Sequence, residues 1–348
     1  MIPYEALLSQ ARAALAPEAY AYFSAGSGDG QTVAEAEDAW RRIHLRPRVL
    51  RDVPTVDSTT TLLGQQVSAP IAIAPTAAHG FAHPDGEVAT AAGAAATGSL
   101  YVLSTRATAR LDDVVDVAGT WWMQIYVMAD RGLSDELARR AAAAGAGAIV
   151  VTVDTPAVAT KREATASLRF PGPGLLPEIA AAPVEALEQA PDVTEYDLAR
   201  LGKITGLPVV AKGVLRADDA LACVDAGAVA VVVSTHGGRQ LDGVVPTAWA
   251  LPEVVEAVGD QVEVYVDGGI RTGRDVLRAL ALGARAAWLG RPVLWALAAG
   301  GADGVTELLD GLRASVAEAL LLAGCRTPAD AGPDLVWSGP APRHTVKG

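Results

Sequence analysis

The feature that most constrains this chain is an eightfold alternation. From about residue 67, short β-branched runs alternate with Ala- and Leu-rich stretches of helical period. The runs cover residues 69–76, 101–105, 121–127, 148–154, 208–214, 229–235, 263–269 and 286–291. They are continuously apolar rather than alternating, as expected of parallel strands covered on both faces. Clear helical stretches lie at 134–145, 217–227 and 273–283, each ending in glycine, which suits a left-handed C-cap. Eight βα units in a row, with no second region of different composition, predict an α/β fold of the (β/α)8 TIM-barrel type. An open doubly wound sheet is the lesser alternative.

Two segments fall outside the repeat. Residues 1–66 read as an N-terminal helical extension packing on the barrel of residues 67–348, with helical stretches near 4–15 and 32–40. Residues 155–193 read as a long loop rich in Pro, Gly and Ala, expected to be a lid or a disordered flap.

Bulk properties exclude several classes. The net charge of −12 over 348 residues offers no broad attraction to nucleic acid, nor to an anionic membrane. The longest apolar run, 141–153, is shorter than a membrane span, and Glu5 and Arg12 interrupt any signal-peptide core. Cys223 and Cys325 lie far apart, with no CxxC or Cys/His metal spacing. These features predict a cytoplasmic protein with no metal site.

Barrel chemistry sits at the C-terminal ends of the strands, and the polar residues of this chain gather there. They include Thr76, Ser104, Gln124, Tyr126, Thr152, Asp154, Lys212, Ser234, His236, Arg239, Asp267 and Arg291. After the seventh run comes Asp267-Gly268-Gly269-Ile270-Arg271, and the eighth ends in Gly290-Arg291. Glycines that admit backbone N–H groups, together with arginines, suit a phosphate. His236 is the one histidine just past a β-branched strand end. It is followed by two glycines and Arg239, so it reads as a base beside a carboxylate clamp. Asp154 is placed to orient it. Lys212 ends an apolar strand and is costly there unless it meets an anion; a Schiff-base role and a positive charge beside a reduced flavin are the two readings.

These residues carry a resemblance. The ordered segments include LRPR (45–48), APTA (74–77), HPDGE (83–87), QIY (124–126), TVDTP (152–156), HGGRQLD (236–242), DGGIR (267–271) and GRP (290–292). Together they resemble the FMN-dependent α-hydroxy-acid oxidase and dehydrogenase family over nearly the whole chain. The resemblance implies FMN as cofactor and a small (S)-2-hydroxy acid as substrate. It places Pro75, Thr76 and Ala77 near the isoalloxazine, with Ser104, Gln124, Thr152 and Ser234 on its polar edge. Lys212 would stabilise the reduced ring. Asp267, Gly268, Gly269, Arg271, Gly290 and Arg291 would hold the ribityl chain and phosphate. Tyr22 and Arg239 would meet the substrate carboxylate, Tyr126 its oxygens, and His236 would accept a proton. A homotetramer is the family habit.

Three positions depart from the family pattern. Arg106 stands where many members carry a bulky aromatic, so a substrate with a polar or anionic tail is expected. The second carboxylate arginine falls on Lys161 or Arg162, and Arg162 is favoured as the better fork. Thr235 replaces a common Asn. Another flavin-barrel chemistry, as an isomerase or reductase, and a non-catalytic FMN-binding protein remain the alternatives.

Overall fold

The computed structural model describes residues 4–160 and 174–339. Three helices open the chain: α1 (Tyr4–Ala14), α2 (Pro17–Ser24) and α3 (Gln31–Arg41). Pro17 starts α2 in the first helical turn, where a missing N–H costs nothing. An antiparallel hairpin follows, made of β1 (Thr60–Leu62) and β2 (Gln65–Val67), turning through Leu63 and Gly64. Neither α2 nor the hairpin was legible in the sequence. Both are short, and a three-residue strand carries no periodic signal.

Eight parallel strands then close into a barrel. They are β3 (Ile71–Ile73), β4 (Leu100–Leu103), β5 (Trp121–Ile125), β6 (Ile149–Thr152), β7 (Val209–Val214), β8 (Ala230–Val233), β9 (Glu263–Val266) and β10 (Ala286–Leu289). β10 pairs back onto β3. All but β7 are three to five residues long, shorter than most of the apolar runs, because the C-terminal end of each run leaves the ladder to build a loop.

Alternate residues divide the apolar runs between two cores. Trp122, Val150, Val210, Val232, Tyr265 and Trp288 point inward, while Met123, Val151, Ala211, Val231 and Val266 face the helices. The rings of Trp122, Tyr265 and Trp288 fill the barrel with centroids 5.4 to 6.1 Å apart. Alanines 72, 148, 230 and 286 leave them room. The hairpin plugs the N-terminal end: Leu62 and Val67 join the inner core, and Trp122 Nε1 donates to Gln65 Oε1 at 2.6 Å. A filled interior forces ligands to the opposite mouth.

The segment 155–193 is folded over much of its described length. It carries short helices Pro177–Ala181 and Val184–Leu187, Leu175 and Ile179 are buried, and Gln189 bridges to Met128. The expectation of a loose flap fails for residues 174–193, because their leucines and isoleucine find a core. The final stretch, Arg291–Ala323, is two helices joined at Gly300 and Gly301, where Gly301 has φ 58°. Its first half packs Leu294 and Trp295 against α1 and α2. No helix among the described residues is long and apolar enough to cross a membrane. Both cysteines are free and buried.

Candidate active site

β8 ends at Val233, and the chain then turns sharply through His236, Gly237 and Gly238, with φ of 55°, 63° and 71°. A histidine in the left-handed region is uncommon and must be held there. The His236 N–H donates to Ser234 Oγ at 3.1 Å. On the ring, Nδ1 lies 3.0 Å from Asp154 Oδ1 and Nε2 lies 3.1 Å from the Tyr126 hydroxyl. Gly238 has no room for a side chain, since a Cβ there would meet Val33 Cγ2 at 2.7 Å.

The protonation pattern follows from charge. Burial alone would raise the Asp154 carboxyl. His236, Lys212 and the Thr155 hydroxyl more than offset it, so Asp154 is held below its ordinary range and stays ionised. A carboxylate only accepts, so His236 Nδ1 carries the proton and Nε2 is the acceptor. Burial, reinforced by Asp154 and Tyr22, raises the Tyr126 phenol and keeps it protonated, so its O–H donates to Nε2. Two residues not singled out from the sequence brace this unit. Thr155 Oγ1 donates to Asp154 Oδ1 at 3.0 Å, and Gln240 Nε2 donates to the Asp154 carbonyl at 3.0 Å. Only three-dimensional proximity reveals Thr155. Gln240 lies inside the HGGRQLD segment and was accessible to motif reading.

Next to the histidine, Arg239 Nη1 donates to the carbonyls of Tyr22 at 2.8 Å and Ala25 at 3.0 Å. Its guanidinium stacks 4.8 Å from the Tyr22 ring centroid. Helix α2 therefore carries Tyr22 to the mouth. Asp242 fixes the neighbouring helix α3 by accepting from the backbone N–H groups of Gly30, Gln31 and Thr32.

The other end of the cavity gathers Arg271 and Arg291 with glycines 268, 269 and 290. Gly290 caps the helix that begins at Arg291. At Gly269 (φ 78°) a Cβ would lie 2.3 Å from the Ala36 carbonyl oxygen, so α3 approaches only because the side chain is absent. Arg291 is bonded to the carbonyls of Phe23 and Ala25. Burial, with repulsion from Arg239 and Arg271, pulls it down to about 10. Such crowding of cations is costly unless an anion joins them. Between the two ends, Lys212 Nζ pairs with Asp267 Oδ2 at 2.8 Å and donates to Ser234 Oγ at 2.8 Å. Asp267 Oδ1 is buried with no partner among the described residues, as expected of an acceptor for a ligand hydroxyl.

All these groups open on one cavity of about 600 Å³. Its wall includes Pro75, Thr76, Ala77, Ser104, Arg106 and Lys212, with Trp288 among the lining residues. Lys212 and His236 share that wall, as an imidazole working beside an ammonium requires. Gln124, Thr152, Asp154 and Ser234 stand one layer behind it. Gln124 links Ser104 (3.3 Å) to Thr152 (3.0 Å), and Ser234 serves Lys212 and the His236 backbone. Lys161 and Arg162 lie outside the described residues. His79 is fully buried and bonds Thr76 Oγ1 at 2.6 Å and Thr90 Oγ1 at 2.8 Å. Among the described residues no cluster of three or more His, Cys, Asp or Glu could hold a metal ion.

The family model described as FMN-dependent dehydrogenase matches residues 11–338. The chain belongs to the FMN-dependent dehydrogenase family. It is 42% identical to 2-hydroxyacid oxidase 2 of Rattus norvegicus over 338 residues, covering 94% of this chain and 96% of that protein. It is 41% identical to glycolate oxidase of Spinacia oleracea, covering 99% and 98%. Among solved structures, mandelate oxidase superposes with a TM-score of 0.90 at 40% identity, covering 97% of this chain and 98% of the other. The cofactor of the family, FMN, fits the residues present. The arginine and glycine end suits its phosphate, the unpartnered Asp267 oxygen a hydroxyl of its ribityl chain, and the wall of Pro75, Thr76 and Ala77 its ring.

Proposed function

We propose that this protein oxidises a 2-hydroxy acid to the 2-keto acid, with His236 as proton acceptor. The observation that carries this reading is His236 Nε2. It faces a cavity that also holds Arg239, while Asp154 fixes the opposite ring nitrogen. FMN, when bound, supplies the two-electron acceptor that the protein's own side chains lack.

The chain does the rest. Arg239 and Tyr22 bind the substrate carboxylate, and the Tyr126 hydroxyl orients the substrate's oxygen. His236 Nε2 takes a proton, and the ionised Asp154 stabilises the imidazolium that results. Lys212, held by Asp267 at 2.8 Å, places its ammonium group at the inner wall. A protein that merely binds a flavin has no need of a braced base. The kinship with proteins named oxidases favours oxygen as the final acceptor.

The test is anaerobic mixing of the yellow protein with a panel of 2-hydroxy acids, followed by air. Bleaching and return of colour are expected. A protein that stays yellow with every acid would sink the reading in favour of an isomerase, a reductase or a simple binder.

A further inference from the structure

Four of the cavity's five basic side chains have an anionic partner present or one expected from FMN and a monocarboxylate. The five are Arg106, Lys212, Arg239, Arg271 and Arg291. Lys212 is matched by Asp267. Arg271 pairs with Glu37 at 3.0 Å and, with Arg291, suits one phosphate, and Arg239 with Tyr22 suits one carboxylate. Arg106 is left over.

Arg106 is firmly placed. It lies in the turn after β4, its N–H donating to Ser104 Oγ at 3.1 Å and its carbonyl accepting from Ala78 at 3.1 Å. Its Nη2 donates to the Leu187 carbonyl at 2.7 Å, and no described Asp or Glu pairs with it. Burial pulls its basicity down, and the nearby hydroxyls of Tyr126 and Tyr22 act in the other direction. Those two tyrosines flank His236 and Arg239, so Arg106 looks into the reacting end of the cavity. A guanidinium has five N–H donors, and one neutral carbonyl leaves most of the fork for something else. The lining at the Leu187 contact continues into Glu188 and Gln189, with the exposed Val158 and Val184 also on the cavity. A half-buried guanidinium whose side-chain partner among the described residues is one neutral carbonyl is costly until an anion reaches it.

Resting on the 2-hydroxy-acid reading above, we propose that the substrate carries a second anionic group, as a short 2-hydroxydicarboxylate does, and that Arg106 binds that far carboxylate. The redox step is unchanged, and Arg106 selects the tail.

The experiment uses the FMN-loaded protein with 2-hydroxysuccinate and 2-hydroxyglutarate against 2-hydroxybutanoate and 2-hydroxypentanoate. We expect kcat/KM to favour the dicarboxylates by about tenfold or more, the range of a charge-assisted bond. Arg106→Leu removes or inverts that ratio, and Arg106→Lys restores part of it. Binding of the matching 2-keto acids, followed by the shift in the visible flavin spectrum, shows the same split in Kd without turnover. Two results overturn the proposal: no dicarboxylate preference in the parent protein, or an equal loss for both acid classes in Arg106→Leu, which would place Arg106 on the common carboxylate. If none of the acids bleaches the parent protein, the oxidase reading falls and this inference with it.

Discussion

Asp154 Oδ1 lies 3.0 Å from His236 Nδ1, across 82 residues of chain, joining the turns after β6 and β8 over the end of β7. The pair makes Nε2 the accepting nitrogen of the His236 ring. Replacing His236 by Ala should cut kcat by about 10² to 10⁴. Bound FMN should remain, since the arginines and glycines that suit its phosphate are unchanged. Asp154→Asn should also lower kcat by orders of magnitude, because an amide no longer dictates the tautomer or stabilises the imidazolium. Anaerobic flavin reduction by stopped flow checks both. A His236→Ala variant reduced at the parent rate would remove the base assignment.

The Lys212–Asp267 pair should behave as a buried ion pair. Lys212→Met strands Asp267 and should cost about 3–5 kcal/mol of stability. The double variant Lys212→Met with Asp267→Asn should recover part of that loss. Denaturant unfolding of the four proteins without FMN gives the coupling energy. Additive losses would mean that the two charges do not support each other.

Arg291 is predicted to hold FMN rather than to react. Arg291→Ala should weaken FMN binding by about tenfold to a hundredfold, the value of charge-assisted bonds to phosphate. Release of fluorescent FMN on dilution measures it. Relief of repulsion on Arg239 and Arg271 works against the loss, so a tighter complex would show that the arginine cluster serves another purpose.

His79 predicts a pH effect on stability. Burial lowers its pKa despite Glu87 nearby. The neutral form fits the bonding, with Nδ1 donating to Thr90, whose hydroxyl donates on to Gly86, and Nε2 accepting from Thr76. The unfolded chain takes up a proton near pH ~6.5, but the folded one resists. Stability is therefore complete above that pH and falls below it, by up to about 1.4 kcal/mol per pH unit from this group. His79→Gln should be flatter than the parent between about pH 6.5 and pH 5. Parallel curves would show that His79 does not titrate there.

Much of this was legible in the chain. Continuous apolar runs separated by amphipathic stretches announce parallel strands under helices, because burial on both faces demands apolar side chains on both. Polar residues at the ends of those runs mark the mouth, since a filled barrel interior tolerates none of them deeper. The HGGRQLD and DGGIR segments identified the cationic cavity for the same reason that they exist: tight left-handed turns and close backbone approach need glycine. Helix α2 and the β1–β2 hairpin were not legible, since each is too short for a period.

What the sequence alone determined is the repeat, the strand ends and the chemistry available at them. Pairing was decided only in three dimensions. That Thr155 braces Asp154, that Ser234 turns to Lys212, and that no described carboxylate pairs with Arg106 all depend on which strand ends come together when the barrel closes. Local pattern is written in nearest neighbours along the chain. Charge and hydrogen-bond partners are set by distances between residues tens to hundreds of positions apart.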